Sequence, residues 1–321
     1  MREIGGYMGL EDFRGEEYYS DLTRVNLGRT ALLWLLEARG YRKLLLPFYL
    51  CSSVTESCRK AGISLDFYRI SRDLSPILSR QLQEGEALYL VNYYGQLTDQ
   101  KILEYQKAYG RIIVDHTHSF YQRPLPGVDT LYSCRKFFGV SDGAYLSTDA
   151  RLPQKERDIS MDHMAHVLGR YETDAGSWYQ AMLDNARSYE TAPILTMSRL
   201  TENLMRAVDY PRVKAARERN YRTLKELLPC SHPCQRTVPE APFAYPYYHK
   251  DGIRLRSFLA NRKIFVPTNW SNVLRDMPPD SLEYDLAANV LPLPCDQRYG
   301  QEDMESIAES IRAFEQESGT S

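Results

Sequence analysis

The chain has 321 residues, of which 43% are hydrophobic and 26% are charged, the usual balance of a soluble globular protein. Its 40 basic residues nearly balance its 42 acidic residues, so charge gives no reason to expect binding to nucleic acid or to an anionic membrane. No apolar run could span a bilayer, the N-terminus does not resemble a signal peptide, and six irregularly spaced cysteines indicate reduced thiols; we therefore expect a cytoplasmic protein.

Between residues 25 and 150, short apolar runs alternate with segments of helical periodicity. Such alternation predicts a largely parallel sheet with right-handed crossovers, in which ligands bind beyond the carboxyl ends of the strands. The predicted strands are Lys43–Pro47, Ser64–Ile70, Glu86–Gly95, Arg111–Asp115, Asp129–Cys134 and Gly143–Thr148. The predicted helices, each ended by a glycine, are Thr30–Gly40, Ser52–Gly62 and Thr98–Gly110.

The second half of the chain has a different organisation. Residues 152–228 are mostly helical in pattern and end in an amphipathic helix over Tyr210–Pro229. The elements predicted after it are the strands Phe243–His249, Lys263–Pro267 and Val290–Pro294 and the helices Gly252–Arg262 and Gln301–Ser318. We therefore predict a large α/β domain over residues 1–208 and a smaller α+β domain over residues 209–321.

The strand "RIIVD" ends on an acid, and two histidines follow it in "DHTHSF". Three interpretations compete: a metal site of Asp115, His116 and His118, a charge partner for a cofactor, or an ordinary polar turn. The histidines occupy alternate strand positions and would point to opposite faces, which disfavours a shared metal. The segment "CSHPC" at residues 230–234 has no second ligand pair, so a zinc site is not expected there either.

Two further features flank this acid along the chain. Gly28 precedes a helix, where backbone N–H groups favour a phosphate, although such a glycine alone is usually just a turn. Lys136 follows a strand, where burial would make its amine nucleophilic, although a lone lysine usually lies on the surface. Together they suit pyridoxal phosphate (PLP): the turn binds the phosphate, Asp115 keeps the ring nitrogen protonated, and the lysine binds the aldehyde.

The stretches "NLGRTAL", "VDHTHSF" and "SCRKFFGVSDGAYL" resemble motifs of the DegT/DnrJ/EryC1/StrS family of PLP-dependent aminotransferases, and the resemblance covers most of the chain. It implies the α/β fold of type I PLP-dependent transferases, in which a mostly parallel sheet flanked by helices forms a large domain. A smaller C-terminal α+β domain completes this fold. The resemblance also implies a homodimer with its sites at the subunit interface.

The resemblance assigns roles around the cofactor ring. Asp115 would bind the pyridinium nitrogen, and His118 would bind the phenolic oxygen. Thr117 would pack under the ring where the family commonly has alanine, and Lys136 would form the Schiff base.

The resemblance also places residues at the phosphate and on the ring face. Those implied at or near the phosphate are Gly28, Arg29, Thr30, Ser133 and Arg135. Tyr49 is the candidate for stacking on the cofactor, unless the register puts Phe48 or Cys51 there.

The implied reaction is transamination. An amino donor, glutamate or glutamine, displaces Lys136, whose freed amine then moves a proton between donor and cofactor as general base and acid. The amino group passes to a carbonyl acceptor, by family analogy a keto-sugar nucleotide. Tyr93, Tyr94 and Trp270 are candidates for the acceptor pocket, although they are at least as well explained as core or surface aromatics.

The chain departs from the family in three respects: it is short, it lacks the Asn-Tyr-Arg segment that commonly follows the lysine region, and its serine lies only three residues before Lys136. Two other functions remain open. One is a PLP-fold binding or regulatory protein without transamination. The other is a metal-dependent hydrolase using Asp115, His116 and His118.

Overall fold

The computed structural model describes residues 4–229, 234–235 and 237–319. The strands of this part of the chain are β1 (Thr23–Val25), β2 (Lys43–Pro47), β3 (Ser64–Ile70), β4 (Pro76–Ile77), β5 (Glu86–Val91), β6 (Ile112–Asp115), β7 (Asp129–Ser133), β8 (Ala144–Ser147), β9 (Tyr245–Tyr248) and β10 (Val290–Leu293). Within the described residues, eight strands form one mixed sheet in the order β1-β8-β7-β6-β5-β2-β3-β4.

The centre of this large sheet is parallel. The pairs β7–β6, β6–β5, β5–β2 and β2–β3 are parallel, whereas the pairs at the two margins are antiparallel. β5 and β6 are buried at every position, as expected for parallel strands covered on both faces. Because β6 is parallel to both neighbours, Asp115 lies at the same sheet edge as the carboxyl ends of β5 and β7.

Helices connect and cover these strands. They are α1 (Gly28–Arg39), α2 (Ser52–Lys60), α3 (Asp99–Tyr109), α4 (Ala165–Glu172), α5 (Tyr179–Ser188), α6 (Arg199–Arg206), α7 (Tyr210–Leu227), α8 (Gly252–Asn261), α9 (Val273–Asp276), α10 (Leu282–Asn289) and α11 (Gln301–Ser318). Every predicted helix is confirmed to within one turn of its predicted bounds. No helix in the described ranges is both long enough and apolar enough to cross a membrane.

One predicted strand is shorter than the sequence suggested. The strand predicted over Glu86–Gly95 ends at Val91, and a single helical turn follows over Tyr93–Gly95. Tyr94 has a φ of 52°, in the left-handed region that an extended strand cannot contain. This turn places aromatic rings beside the edge at which Asp115 lies.

A second, two-stranded sheet follows α7. β9 and β10 pair antiparallel, and a cluster of buried apolar residues from α7, α8 and α11 packs around them. The strand predicted over Lys263–Pro267 is wrong: this segment has no regular structure. Lys263 has a φ of 61°, and the N–H of Ile264 donates back to the carbonyl of Leu259 in α8, so the chain turns here and does not extend.

Candidate active site

The carboxylate of Asp115 lies at the end of β6 and is buried, with 6% of the residue exposed. The hydroxyl of Tyr89 donates to its Oδ2 over 2.7 Å, and the N–H of Thr117 donates to its Oδ1 over 2.8 Å. Burial raises the pKa of Asp115, while hydrogen bonds from Thr117 and Tyr89 and the charge of Lys136 act to lower it. The site therefore holds a desolvated carboxylate whose ionised form depends on a few neighbouring donors.

The two histidines after Asp115 have different surroundings. Nδ1 of His116 lies 3.0 Å from Nδ2 of Asn92, and its ring centroid is 5.4 Å from that of Tyr132. His118 stacks instead against Phe243 and Trp270. Among the described residues, no three histidine, cysteine or acidic side chains are grouped as metal ligands, so the metal-site interpretation has no ligand set. Most of "CSHPC" lies outside the described residues.

His118 is held between two aromatic rings. Its ring centroid lies 4.1 Å from that of Phe243 at an interplanar angle of 10°, and 5.4 Å from that of Trp270 at 23°. Burial holds the pKa of His118 well below its usual range, and the charge of Lys136 lowers it further; both effects favour the neutral imidazole. Within the described part of the chain, its buried Nδ1 has no hydrogen-bond partner. A buried polar atom of this kind indicates a ligand contact.

Lys136 closes a single helical turn, Cys134–Lys136, that follows β7. Its side chain is exposed to two adjoining cavities, both of which it lines. The surrounding protein nevertheless desolvates the amine, and this desolvation lowers its pKa. Cys51 and Asp115 oppose this shift, and Arg135 adds to it. The result is an amine that loses its proton more readily than an ordinary lysine.

We call the first of these cavities, of about 560 Å³, the site cavity. Most of the predicted residues line it. The predicted residues that line it are Gly28, Arg29, Asp115, Thr117, His118, Ser133, Arg135 and Lys136. They come from the α1 N-terminus, the end of β6 and the end of β7. Asp115 and Lys136 thus face one space, from two strands that are neighbours in the sheet.

Two of the predicted cofactor-binding residues, Thr30 and Tyr49, do not line the site cavity, and neither do the acceptor-pocket candidates Tyr93 and Tyr94. The hydroxyl of Thr30 is turned inward and donates to Oδ1 of Asn26 over 2.5 Å, inside the first turn of α1. Tyr49 is 1% exposed and packs edge-on against Trp270, 4.5 Å between centroids. Of the two alternatives to Tyr49, Phe48 stacks on Phe67, and Cys51 lines the cavity.

One end of the site cavity is suited to an anion. The first N–H groups of α1 at Gly28 and Arg29 have no carbonyl partner within the helix, and the helix dipole makes this end positive. Burial lowers the pKa of Arg135, and the positive charge of Arg29 lowers it further. Both flank Tyr189: Arg135 lies 5.0 Å from its ring centroid, and Arg29 donates to its carbonyl over 3.4 Å.

The second cavity, of about 400 Å³, adjoins the first at Lys136 and is lined from the small sheet, α7 and the ends of α8 and α11. It was not predicted from the sequence. The cations among its described lining residues are Lys136, Arg170, Arg217, Lys263 and Arg298; the carboxylates are Asp296 and Asp303. Asp296 is already paired with Arg298 over 2.7 Å, so the cavity as a whole is positive.

Two residues that contact the predicted groups were missed by sequence reasoning. Tyr89 donates a hydrogen bond to Asp115. Its signal was a tyrosine between the leucines of a buried strand, since a buried phenol needs a hydrogen-bond partner. Phe243 stacks on His118 from a position 125 residues later in the chain. No local pattern could have indicated that contact.

Three solved structures show which known fold the chain shares. A DegT DnrJ EryC1 StrS aminotransferase from Brucella abortus matches with a TM-score of 0.61 at 15% identity, over 91% of this chain and 85% of that one. A putative sugar aminotransferase from Streptococcus pneumoniae in its PLP form matches at 0.61 and 14%, over 92% and 87%. DesI, analysed in the presence of its TDP-sugar product, matches at 0.61 and 15%, over 91% and 79%.

The chain has the aminotransferase fold. The α/β fold class predicted from the sequence is confirmed by these matches and by the mixed sheet. No protein-family model matches the chain, and no curated protein matches it. In this aminotransferase fold, the site cavity lies where ligands of α/β sheets bind, beyond the carboxyl ends of the central parallel strands.

Proposed function

We propose that the chain is a PLP-dependent aminotransferase in which Lys136 binds the cofactor. The observation that carries this proposal is the convergence of a desolvated carboxylate, a neutral histidine with a free Nδ1 and a lysine of lowered pKa on one cavity. The aminotransferase fold supports it.

The residues present fit the cofactor. Asp115 would bind the ring nitrogen, and a protonated nitrogen beside it would favour the ionised carboxylate. The unpartnered Nδ1 of His118 would take the phenolic oxygen. The α1 N-terminus with Arg29 and Arg135 would bind the phosphate. When bound, pyridoxal phosphate supplies an electron sink for the carbanion that proton removal leaves.

The chain's own groups would handle the protons. Burial lowers the pKa of Lys136, so its amine can accept a proton from the donor's α-carbon and return it elsewhere as an acid. The neutral imidazole of His118 can hold a hydrogen bond at Nδ1 without adding charge to the site. Phe243 and Trp270 shield that imidazole from water.

For the substrates, we infer an amino donor that is glutamate or glutamine and a carbonyl acceptor that is a keto-sugar nucleotide. The TDP-sugar product of the structural neighbour DesI supports this acceptor, and the positive second cavity beside Lys136 suits an anionic substrate. By analogy with the resembled family, we further infer a cytoplasmic homodimer and a division into domains at residue 208.

The test is to load the purified protein with pyridoxal phosphate, record its visible spectrum, and repeat this with Lys136→Ala. In the wild type we expect a visible absorption band from bound cofactor, and we expect reduction with borohydride to attach the cofactor covalently to the protein. The variant should show neither the band nor amino transfer. Lys60→Ala, an exposed lysine on α2, should behave like the wild type.

Two results would contradict the proposal. If Lys136→Ala retained full turnover, the lysine would have no part in the chemistry. If the wild type bound the cofactor but no amino donor changed its spectrum, the chain would be a binding or regulatory protein with this fold.

A further inference from the structure

Two stacked rings form the wall between the cavities. His118 lines the site cavity, Phe243 lines the second cavity, and their planes lie 10° apart with centroids 4.1 Å from each other. Lys136 lines both cavities, and its Nζ lies 5.6 Å from the centroid of Phe243. One phenyl ring therefore contacts the histidine on one side and lies within cation–π distance of the lysine.

The backbone of Phe243 is fixed relative to Lys136 by one buried arginine. Arg217 is 2% exposed, and its Nη1 donates to the carbonyls of Pro242 over 2.9 Å and of Phe243 over 3.4 Å. Its Nη2 donates to the carbonyl of Phe137, the residue after Lys136, over 3.2 Å. The two segments are thus tied together at their backbones, so Phe243 has a defined position and does not move as a free surface ring.

We propose that Phe243 is a positioning residue that sets the plane of the His118 imidazole and restrains the Lys136 amine, so that both groups meet one planar cofactor. This inference rests on the proposed function. Phe243 lines the second cavity and is not among the residues that line the site cavity, so it would act on a cofactor through His118 and Lys136.

Phe243 can orient His118 because stacked neighbours restrict rotation of the imidazole ring. Phe243 and Trp270 both stack on the imidazole, and the unpartnered Nδ1 on its edge is left for a ligand. The rings also exclude water, and desolvation is the larger cause of the lowered pKa of His118; the charge of Lys136 is the second. Removing the Phe243 ring would expose one face of the imidazole to the second cavity and would leave the Lys136 amine without its cation–π neighbour.

The test compares three substitutions of Phe243 by histidine NMR of the apoprotein and by titration with pyridoxal phosphate. Phe243→Ala and Phe243→Leu should raise the pKa of His118, because water can then solvate its cation; leucine keeps most of the volume but has no planar face. Both should weaken pyridoxal phosphate binding about two- to tenfold, the range of one aromatic contact. Phe243→Tyr keeps the ring and should restore both properties.

Phe265→Ala is the matched control, because Phe265 lines the same second cavity but is an exposed residue. It should leave the His118 pKa and the cofactor affinity unchanged. An unchanged His118 pKa in Phe243→Leu would overturn the positioning role. So would equal affinities of the wild type and Phe243→Leu for pyridoxal phosphate. The NMR titration needs no cofactor, so a wild type that fails to bind pyridoxal phosphate contradicts the proposed function and leaves this test standing.

Discussion

Asp115 shows how much a single hydrogen bond matters at this site. Its carboxylate is buried, and burial alone favours the protonated form, which could not act as a charge partner. The donors Tyr89 and Thr117 and the charge of Lys136 favour the anion. Thr117 acts partly through its backbone, so Tyr89 is the donor that a substitution can remove cleanly.

Tyr89→Phe should therefore raise the pKa of Asp115. A hydrogen bond to a charged group contributes about 1.5–3 kcal/mol, which corresponds to about one to two pH units. Under the proposed function the ionised carboxylate is the active form, so activity should be lost as pH falls through this pKa. The acid limb of kcat/KM in the cofactor-loaded variant should move upward by about that amount.

The control for this prediction is Tyr68→Phe. Tyr68 is equally buried, and its hydroxyl donates to the carbonyl of Tyr89 over 2.8 Å. Its loss should lower stability without moving the acid limb. Equal pH profiles for the two variants would show that the Tyr89 hydroxyl does not support the anion.

The residues that the sequence could predict are those whose chemical type and order along the chain carry the signal. Asp115 and Lys136 stand at the ends of recognisable strands, and the structure brings both to the site cavity. Tyr49 and Cys51 lie in a loop after β2, where a shift of two residues decides which side chain faces the cavity. Phe243 comes from a distant segment, and only tertiary packing places it against His118.

At the scale of elements, hydrophobic period predicted most helices and strands, and backbone geometry decided the exceptions. β3 and α11 have the predicted bounds because their alternating and helical patterns are uninterrupted. The apolar run after α8 looks like a strand, but the left-handed Lys263 turns the chain. Sequence pattern gives no warning of a non-glycine residue in that conformation.

At the N-terminus of α1, substitutions should have a clear effect on the binding of pyridoxal phosphate. Arg29 and Arg135 both line this end of the site cavity and make it positive, and the charge of Arg29 adds to the lowering of the Arg135 pKa. Arg29→Ala and Arg135→Ala should each weaken pyridoxal phosphate binding roughly ten- to a hundredfold, the value of one charge-assisted hydrogen bond.

The phosphate-free aldehyde pyridoxal is the internal comparison for this prediction. Its binding should change little in either variant, because it has no group for the arginines to contact. Arg212→Ala, an exposed arginine on α7, should affect neither ligand. A similar loss of affinity for pyridoxal and its phosphate would instead indicate that the arginines support the fold of the cavity.

At the scale of the whole molecule, the positive second cavity, lined mostly by residues of the second half of the chain, adjoins the site cavity at Lys136. Lys136 lines both cavities. Under the proposed function, a substrate held in the second cavity would present its reacting atom to that amine. Arg217 supplies a buried charge that it shares with neutral carbonyl and amide groups. Arg170 and Lys263 are exposed at the rim. Such a group of positive charges attracts anions, and the attraction weakens as salt screens it.

Arg170→Ala and Lys263→Ala should consequently raise KM for an anionic amino donor such as L-glutamate about two- to fivefold, the value of one exposed charge contact, and leave kcat nearly unchanged. Charge that acts before the chemical step changes capture of the substrate and not the barrier of the reaction. The increase of KM with ionic strength should also be smaller in the double variant than in the wild type. The measurement is the spectral change of the cofactor-loaded protein at several salt concentrations, with the exposed Lys250→Ala as the control. If kcat fell while KM and its salt dependence stayed constant, these cations would act on the chemistry, and the second cavity would not be the route by which the donor reaches Lys136.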